Sequence, residues 1–192
     1  MKSISMSGSL RENVGKKDAK KVRVDGGVPC AIYGGKEQVL FSIEEKSLRR
    51  AIFTPEIYLV NLTIDGKNYN AVVKEVQYHP VSDNIIHVDF LQVLDEKAIV
   101  LSLPVVIEGS SPGVLKGGKL VKKFRKLKIK GLAKHMPEKI VINISNLEIL
   151  DAVKVSDMKI ENLEFLDLPN AIIISVDSTR AAVEESTVPG KK

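Results

Sequence analysis

The sequence predicts an α+β fold that is mainly β, arranged as two modules. Three observations carry this reading. Short apolar runs of period two recur along the whole chain, separated by turns rich in Gly, Pro and Asp. Only two stretches, Gly15–Val24 and Ser42–Ile52, read as helices. A polar break, Leu94-Asp95-Glu96-Lys97, divides the succession of strands. The expected division is therefore residues 1–94, residues 95–185 and a polar tail at 186–192 that is expected to be disordered.

In the first module, Lys2–Gly8 alternates polar and apolar residues and opens as a strand. Gly15–Val24 is basic and can form a short helix, on which Lys16, Lys17, Lys20 and Lys21 would be neighbours by i,i+3 and i,i+4 spacing. Val28–Tyr33 reads as a strand with Pro29 near its start, where proline is tolerated, and Val39–Phe41 as a short one. Ser42 and Glu45 have the spacing of a capping box, with Ser42 as N-cap. Leu48, Ala51 and Ile52 give the helix that follows one apolar face, and Thr54-Pro55 ends it. Ile57–Ile64 and Tyr69–Tyr78 are strands joined by the hairpin pair Asp65-Gly66. Asn84–Val93 is the last strand, giving a β-α-β-β-α-β-β-β barrel-like module.

The second module opens with the strand Ala98–Ile107. Glu108–Gly113 reads as a loop by composition. Residues 116–134 contain nine basic side chains and no acid, and Lys126-Leu127-Lys128-Ile129-Lys130 alternates strictly, so one strand face is cationic and the other apolar. Acids dominate residues 140–185, where Ile140–Ile144, Ala152–Val155 and Ala171–Val176 are strand candidates.

With 192 residues and 44% hydrophobic content, the chain can bury two ordinary cores. Its formal net charge of +5 suits a polyanionic partner. No apolar run approaches the roughly 20 residues of a membrane span, and Met1–Leu10 lacks the apolar core of a signal peptide. The single cysteine, Cys30, cannot form an internal disulfide and fits a reducing cytoplasm as a buried small residue.

The functional signal is concentrated between Arg11 and Gly35. Six bases (Arg11, Lys16, Lys17, Lys20, Lys21, Arg23) stand there against three acids (Glu12, Asp18, Asp25), followed by an apolar run ending in Tyr33-Gly34-Gly35. This is a phosphate-gripping arm attached to β-structure, or else a solvated lysine-rich loop. Two other patterns do not reach a chemistry. Gly113–Lys119 matches GxxxxGK, but Leu120 stands where a phosphate loop needs Ser or Thr, and the following residues are strand-like. His87 and Asp89 share a strand face, but only His79, in a turn before Pro80, is left as a third metal ligand. No nucleophile has a base near it in sequence.

Taken together, the basic arm, Val28-Pro29-Cys30-Ala31-Ile32-Tyr33-Gly34, Gln77-Tyr78-His79-Pro80 and His87-Val88-Asp89-Phe90 resemble the bacterial large-subunit ribosomal proteins that bind 5S rRNA. The longer form of this family is also called general stress protein Ctc. In the second module the resemblance extends to Gly117-Gly118, Met136-Pro137 before Ile140–Ser145, and Leu147-Glu148-Ile149. It implies a six-stranded β-barrel with short helices, a separate β-rich C-terminal domain and no enzyme activity; no cofactor or metal is expected from the residues. It implies RNA contacts from Arg11, Lys16, Lys20, Lys21, Arg23, Tyr33, His87 and Asp89, with Gln77 and His79 beside that surface. The partners implied are 5S rRNA and the large ribosomal subunit, in the cytoplasm and away from membranes; in the C-terminal domain either the basic strand faces rRNA and the acidic part a neighbouring ribosomal protein, or the reverse. The alternative is a stress factor that binds RNA or a protein off the ribosome. The sequence departs from the family in two ways. Val24–Gly27 contains Asp25 and no base, and Lys20 and Lys21 stand where arginines are common, without arginine's bidentate phosphate grip.

Overall fold

A computed structural model describes residues 2–35 and 37–179. The expected tail at 186–192 lies outside the described residues. The chain divides into two compact units. One comprises residues up to 99 together with 132–138; the other comprises 100–131 and the residues from 139 onward.

The first unit is built from β1 (Lys2–Leu10), α1 (Lys16–Val24), β2 (Gly27–Tyr33), β3 (Val39–Glu44), α2 (Glu45–Ile52), β4 (Tyr58–Ile64), β5 (Lys67–Tyr78) and β6 (Ile85–Gln92). The six strands close into a barrel in the order β1-β3-β2-β6-β5-β4. Closure depends on β1, which runs parallel to β4 from Lys2 to Gly8 and then pairs antiparallel with β3 at Ser9 and Leu10. Asp65 and Gly66 both adopt positive φ (50° and 77°), the two-residue geometry that matches strand twist and joins β4 to β5.

The alternation of each strand decides what fills the barrel. Val28, Cys30 and Ile32 of β2, Phe41 and Ile43 of β3, Val60, Leu62 and Ile64 of β4, and Val88 and Phe90 of β6 are all at most 2% exposed. Each of these Val, Leu, Ile and Phe side chains contributes about 1.5–3 kcal/mol through burial. The rings of Phe41 and Phe90 meet at 5.7 Å between centroids, a tilted contact worth about 0.5–1.5 kcal/mol more. Leu48 and Ala51 of α2 join the same core.

The expected capping box does not form. Ser42 lies within β3, paired with Pro29 of β2 and Ser9 of β1, and the helix begins only at Glu45. No side chain caps it. The strand ladder on both sides of Ser42 outweighs the local cap.

The second unit holds a four-stranded sheet, β10-β7-β9-β12, and a three-stranded sheet, β11-β13-β8. Their strands are β7 (Ile99–Glu108), β8 (Lys119–Lys122), β9 (Lys126–Gly131), β10 (Ile140–Asn143), β11 (Ala152–Lys154), β12 (Leu163–Phe165) and β13 (Ile172–Asp177). The expected loop at 108–113 ends sooner, because Pro112–Leu115 forms one helical turn, α3. Pro112 starts the turn, and the Ser111 side chain accepts from the Val114 N–H. The GxxxxGK stretch is this turn followed by β8, a strand where a phosphate loop would continue as a helix.

Candidate nucleic-acid interface

The outer wall of the barrel at β2, β6 and β5 follows from the core just described. Because Val28, Cys30 and Ile32 point inward, Pro29, Ala31 and Tyr33 point outward. Because Val88 and Phe90 point inward, His87, Asp89 and Leu91 point outward. The strands β2 and β6 run parallel and align Ala31 with Asp89 and Tyr33 with Leu91. On the other side, antiparallel β5 aligns Gln77 with His87 and Glu75 with Asp89. Residues from three distant segments thereby form one surface.

His87 Nδ1 lies 3.1 Å from Asp89 Oδ1, and both side chains are about one-quarter exposed. The carboxylate only accepts, so Nδ1 carries a proton in this contact. Glu75 stands directly across from Asp89, and like charges so placed repel. Tyr33 is half-buried, and desolvation first, then the charges of Asp89 and Glu75, push its phenol above the usual range. Its hydroxyl stays protonated and can donate. The turn after it depends on glycine: Gly34 has φ +97°, and a Cβ there would approach Leu91 Cδ1 to 2.7 Å.

The arm packs over this wall. Arg23 donates from Nε to the Ile86 carbonyl at 3.0 Å, fastening α1 to the residue before His87. Arg11 donates from Nε and Nη2 to Asp18 Oδ2 at 3.0 and 2.6 Å. The Arg11 side chain is only 9% exposed, so it serves first as a clamp between the arm and α1. Arg11, Lys16, Arg23, Pro29, Leu40 and His87 line one groove between the arm and the barrel. Lys20, one turn beyond Lys16, is exposed. Lys21 lines a different cleft, shared with Glu12, Asp18, Asp25 and Asp65. Lys16 and Lys21, which spacing made neighbours, thus line two different surfaces, and only that of Lys21 is rich in acids.

Gln77 is exposed beside His87. His79 belongs to the turn: its Nδ1 accepts from the N–H groups of Val81 and Ser82 at 3.3 and 3.2 Å. Its backbone N–H donates to the Asn84 carbonyl at 2.8 Å. Cys30 is fully buried, and desolvation above all pushes its thiol to about 12. It is inert as a nucleophile. No group of three potential metal ligands occurs among the described residues.

The roles of Asp18, Ile86 and Glu75 had no local signal in the sequence. Each depends on a partner fixed by helix packing or strand register. Asp25, the acid that departs from the family pattern, lines the acid-rich cleft.

The profile of the Ribosomal L25p family matches residues 6–90, and that of the ribosomal protein TL5 C-terminal domain matches residues 98–180. The chain is 43% identical over 196 residues to the large ribosomal subunit protein bL25 of Bacteroides fragilis, covering all of both chains. It is 44% identical over 184 residues to the protein of the same name from Porphyromonas gingivalis, covering 95% of this chain and 96% of the relative. The corresponding protein of Cytophaga hutchinsonii is 40% identical over the full length of both. With a closed six-stranded barrel under the first profile and a β-rich region under the second, the chain belongs to the ribosomal L25p family, in its long form with a TL5-type C-terminal domain.

Proposed function

We propose that this protein is a structural constituent of the large ribosomal subunit, without enzymatic activity, and that its barrel binds 5S rRNA. Its seat is the ribosome in the cytoplasm. The observation that carries the RNA reading is the pairing of β2 with β6, fastened to the basic arm by Arg23 and Ile86. It sets two kinds of chemistry side by side.

The arm supplies charge. Lys16 and Lys20 on α1, with the free edge of the Arg23 guanidinium, would meet backbone phosphates and release counterions. The wall supplies discrimination. Asp89 and Glu75 only accept hydrogen bonds, while Gln77 and Tyr33 can also donate. Two carboxylates cannot face phosphate, so this wall suits the donors that an RNA presents, its ribose 2′-hydroxyls and base amino groups. Phosphate contacts then position the protein and the wall contacts specify the RNA. Residues 1–94 would hold the 5S rRNA function. Residues 95–185 would form the C-terminal domain that meets other parts of the subunit, including a neighbouring ribosomal protein.

Titrating 5S rRNA affinity against salt tests this reading. With about four to six phosphate contacts, the slope of log affinity against log salt is expected near −3 to −5. A slope near zero would leave the arm without its role.

A further inference from the structure

The lysine strand of the second unit takes no part in the 5S rRNA reading. Lys126, Lys128 and Lys130 of β9 are all exposed on one face, while Leu127 and Ile129 between them are fully buried. Successive residues on one face of a strand stand about 6.8 Å apart, so the three lysines form a row along one face of β9. Lys123 and Arg125, in the turn before β9, are exposed as well. Two acids approach the row. Glu164 of β12 lies opposite Lys130 and pairs with it at 3.3 Å. Asp167 accepts from the Lys128 backbone N–H at 2.7 Å, so its carboxylate is engaged by the main chain.

We propose that Lys126, Lys128 and Lys130 form a second RNA contact, which grips the sugar-phosphate backbone of a large-subunit RNA other than 5S rRNA. The observations favour RNA over a protein partner. Lysine is depleted at protein–protein interfaces, and an apolar or aromatic anchor is expected at their centre. Here the row consists of lysine alone. A linear row of point charges suits a linear array of phosphates, which needs no bidentate geometry and carries no sequence information. The inference rests on the chain being a subunit component but not on the 5S rRNA contact.

The test uses the full-length protein in two steps. It is first loaded with 5S rRNA, and the complex is then titrated with 5S-free RNA extracted from large subunits and with large subunits depleted of this protein. The comparison is between the parent, Lys126→Gln with Lys128→Gln, and Lys126→Arg with Lys128→Arg. Failure of the 5S rRNA reading shows at the loading step, separately from the second. For the glutamine pair, affinity for the 5S-free RNA at 0.1 M salt is expected to fall roughly 10- to 50-fold, with a salt slope shallower by about 1.4–1.8. Loading with 5S rRNA is expected to be unchanged, and the arginine pair is expected to bind like the parent. Equal binding of the parent and the glutamine pair to the 5S-free RNA would overturn the proposal. So would a loss seen on depleted subunits and not on the extracted RNA, since the partner would then be a protein.

Discussion

Arg11 and Asp18 are joined by two hydrogen bonds to one carboxylate oxygen, at 3.0 and 2.6 Å, with the arginine almost withdrawn from solvent. This pair separates a clamp from a phosphate contact. If Arg11 only gripped phosphate, Asp18→Asn would free it and tighten RNA binding. As a clamp, the pair predicts the reverse. Asp18→Asn and Arg11→Ala are both expected to lower stability by about 1.5–3 kcal/mol, the scale of a hydrogen bond to a charged group. Both are expected to weaken 5S rRNA binding. Thermal melts and filter binding on the two variants check it.

The division of the lysines predicts unequal effects on one helix. Lys20→Ala is expected to lower the salt slope by about 0.7–0.9, one phosphate contact. Lys21→Ala is expected to change it less, because Glu12, Asp18, Asp25 and Asp65 share its cleft and repel phosphate. Salt titrations of the two single variants decide the point. Equal losses would bring the cleft face of α1 into the RNA contact.

Leu150 predicts a gain in stability. It adopts φ +74° while its side chain is 78% exposed, so a left-handed backbone is held with little burial in return. Its N–H donates to the Val176 carbonyl at 2.8 Å, which keeps the chain in that conformation. Leu150→Gly is expected to stabilise the protein by about 1 kcal/mol, read as a higher midpoint in urea.

What the sequence revealed divides along local and non-local lines. The eight elements of the first unit were legible because period two, period 3.6 and the Asp65-Gly66 turn are local signals. The order of the strands was not, since the pairing of β1 with both β4 and β3 joins segments that local pattern does not connect. Ser42 shows the conflict directly: a local cap was predicted, and a ladder with Pro29 and Ser9 took the residue. Among the candidate site residues, the shared face of His87 and Asp89 was readable from i,i+2 spacing. The place of Arg11 was not, because its partner Asp18 lies across a loop and looked like one more surface charge. In the second unit, β12 was missed because three residues, Leu163–Phe165, are too short for periodicity to register.

The central claim is that the wall around Asp89 distinguishes one RNA from another, and Asp89→Ala tests it most directly. Removing an acid beside RNA raises net charge, so a loss of affinity can come only from a lost acceptor or a released His87. Affinities of the folded variant for 5S rRNA and for an unrelated structured RNA are measured at the same salt. The account predicts a loss of roughly 1–3 kcal/mol on 5S rRNA, with unchanged or slightly tighter binding to the other. Parent-like binding of 5S rRNA by the folded variant would contradict it.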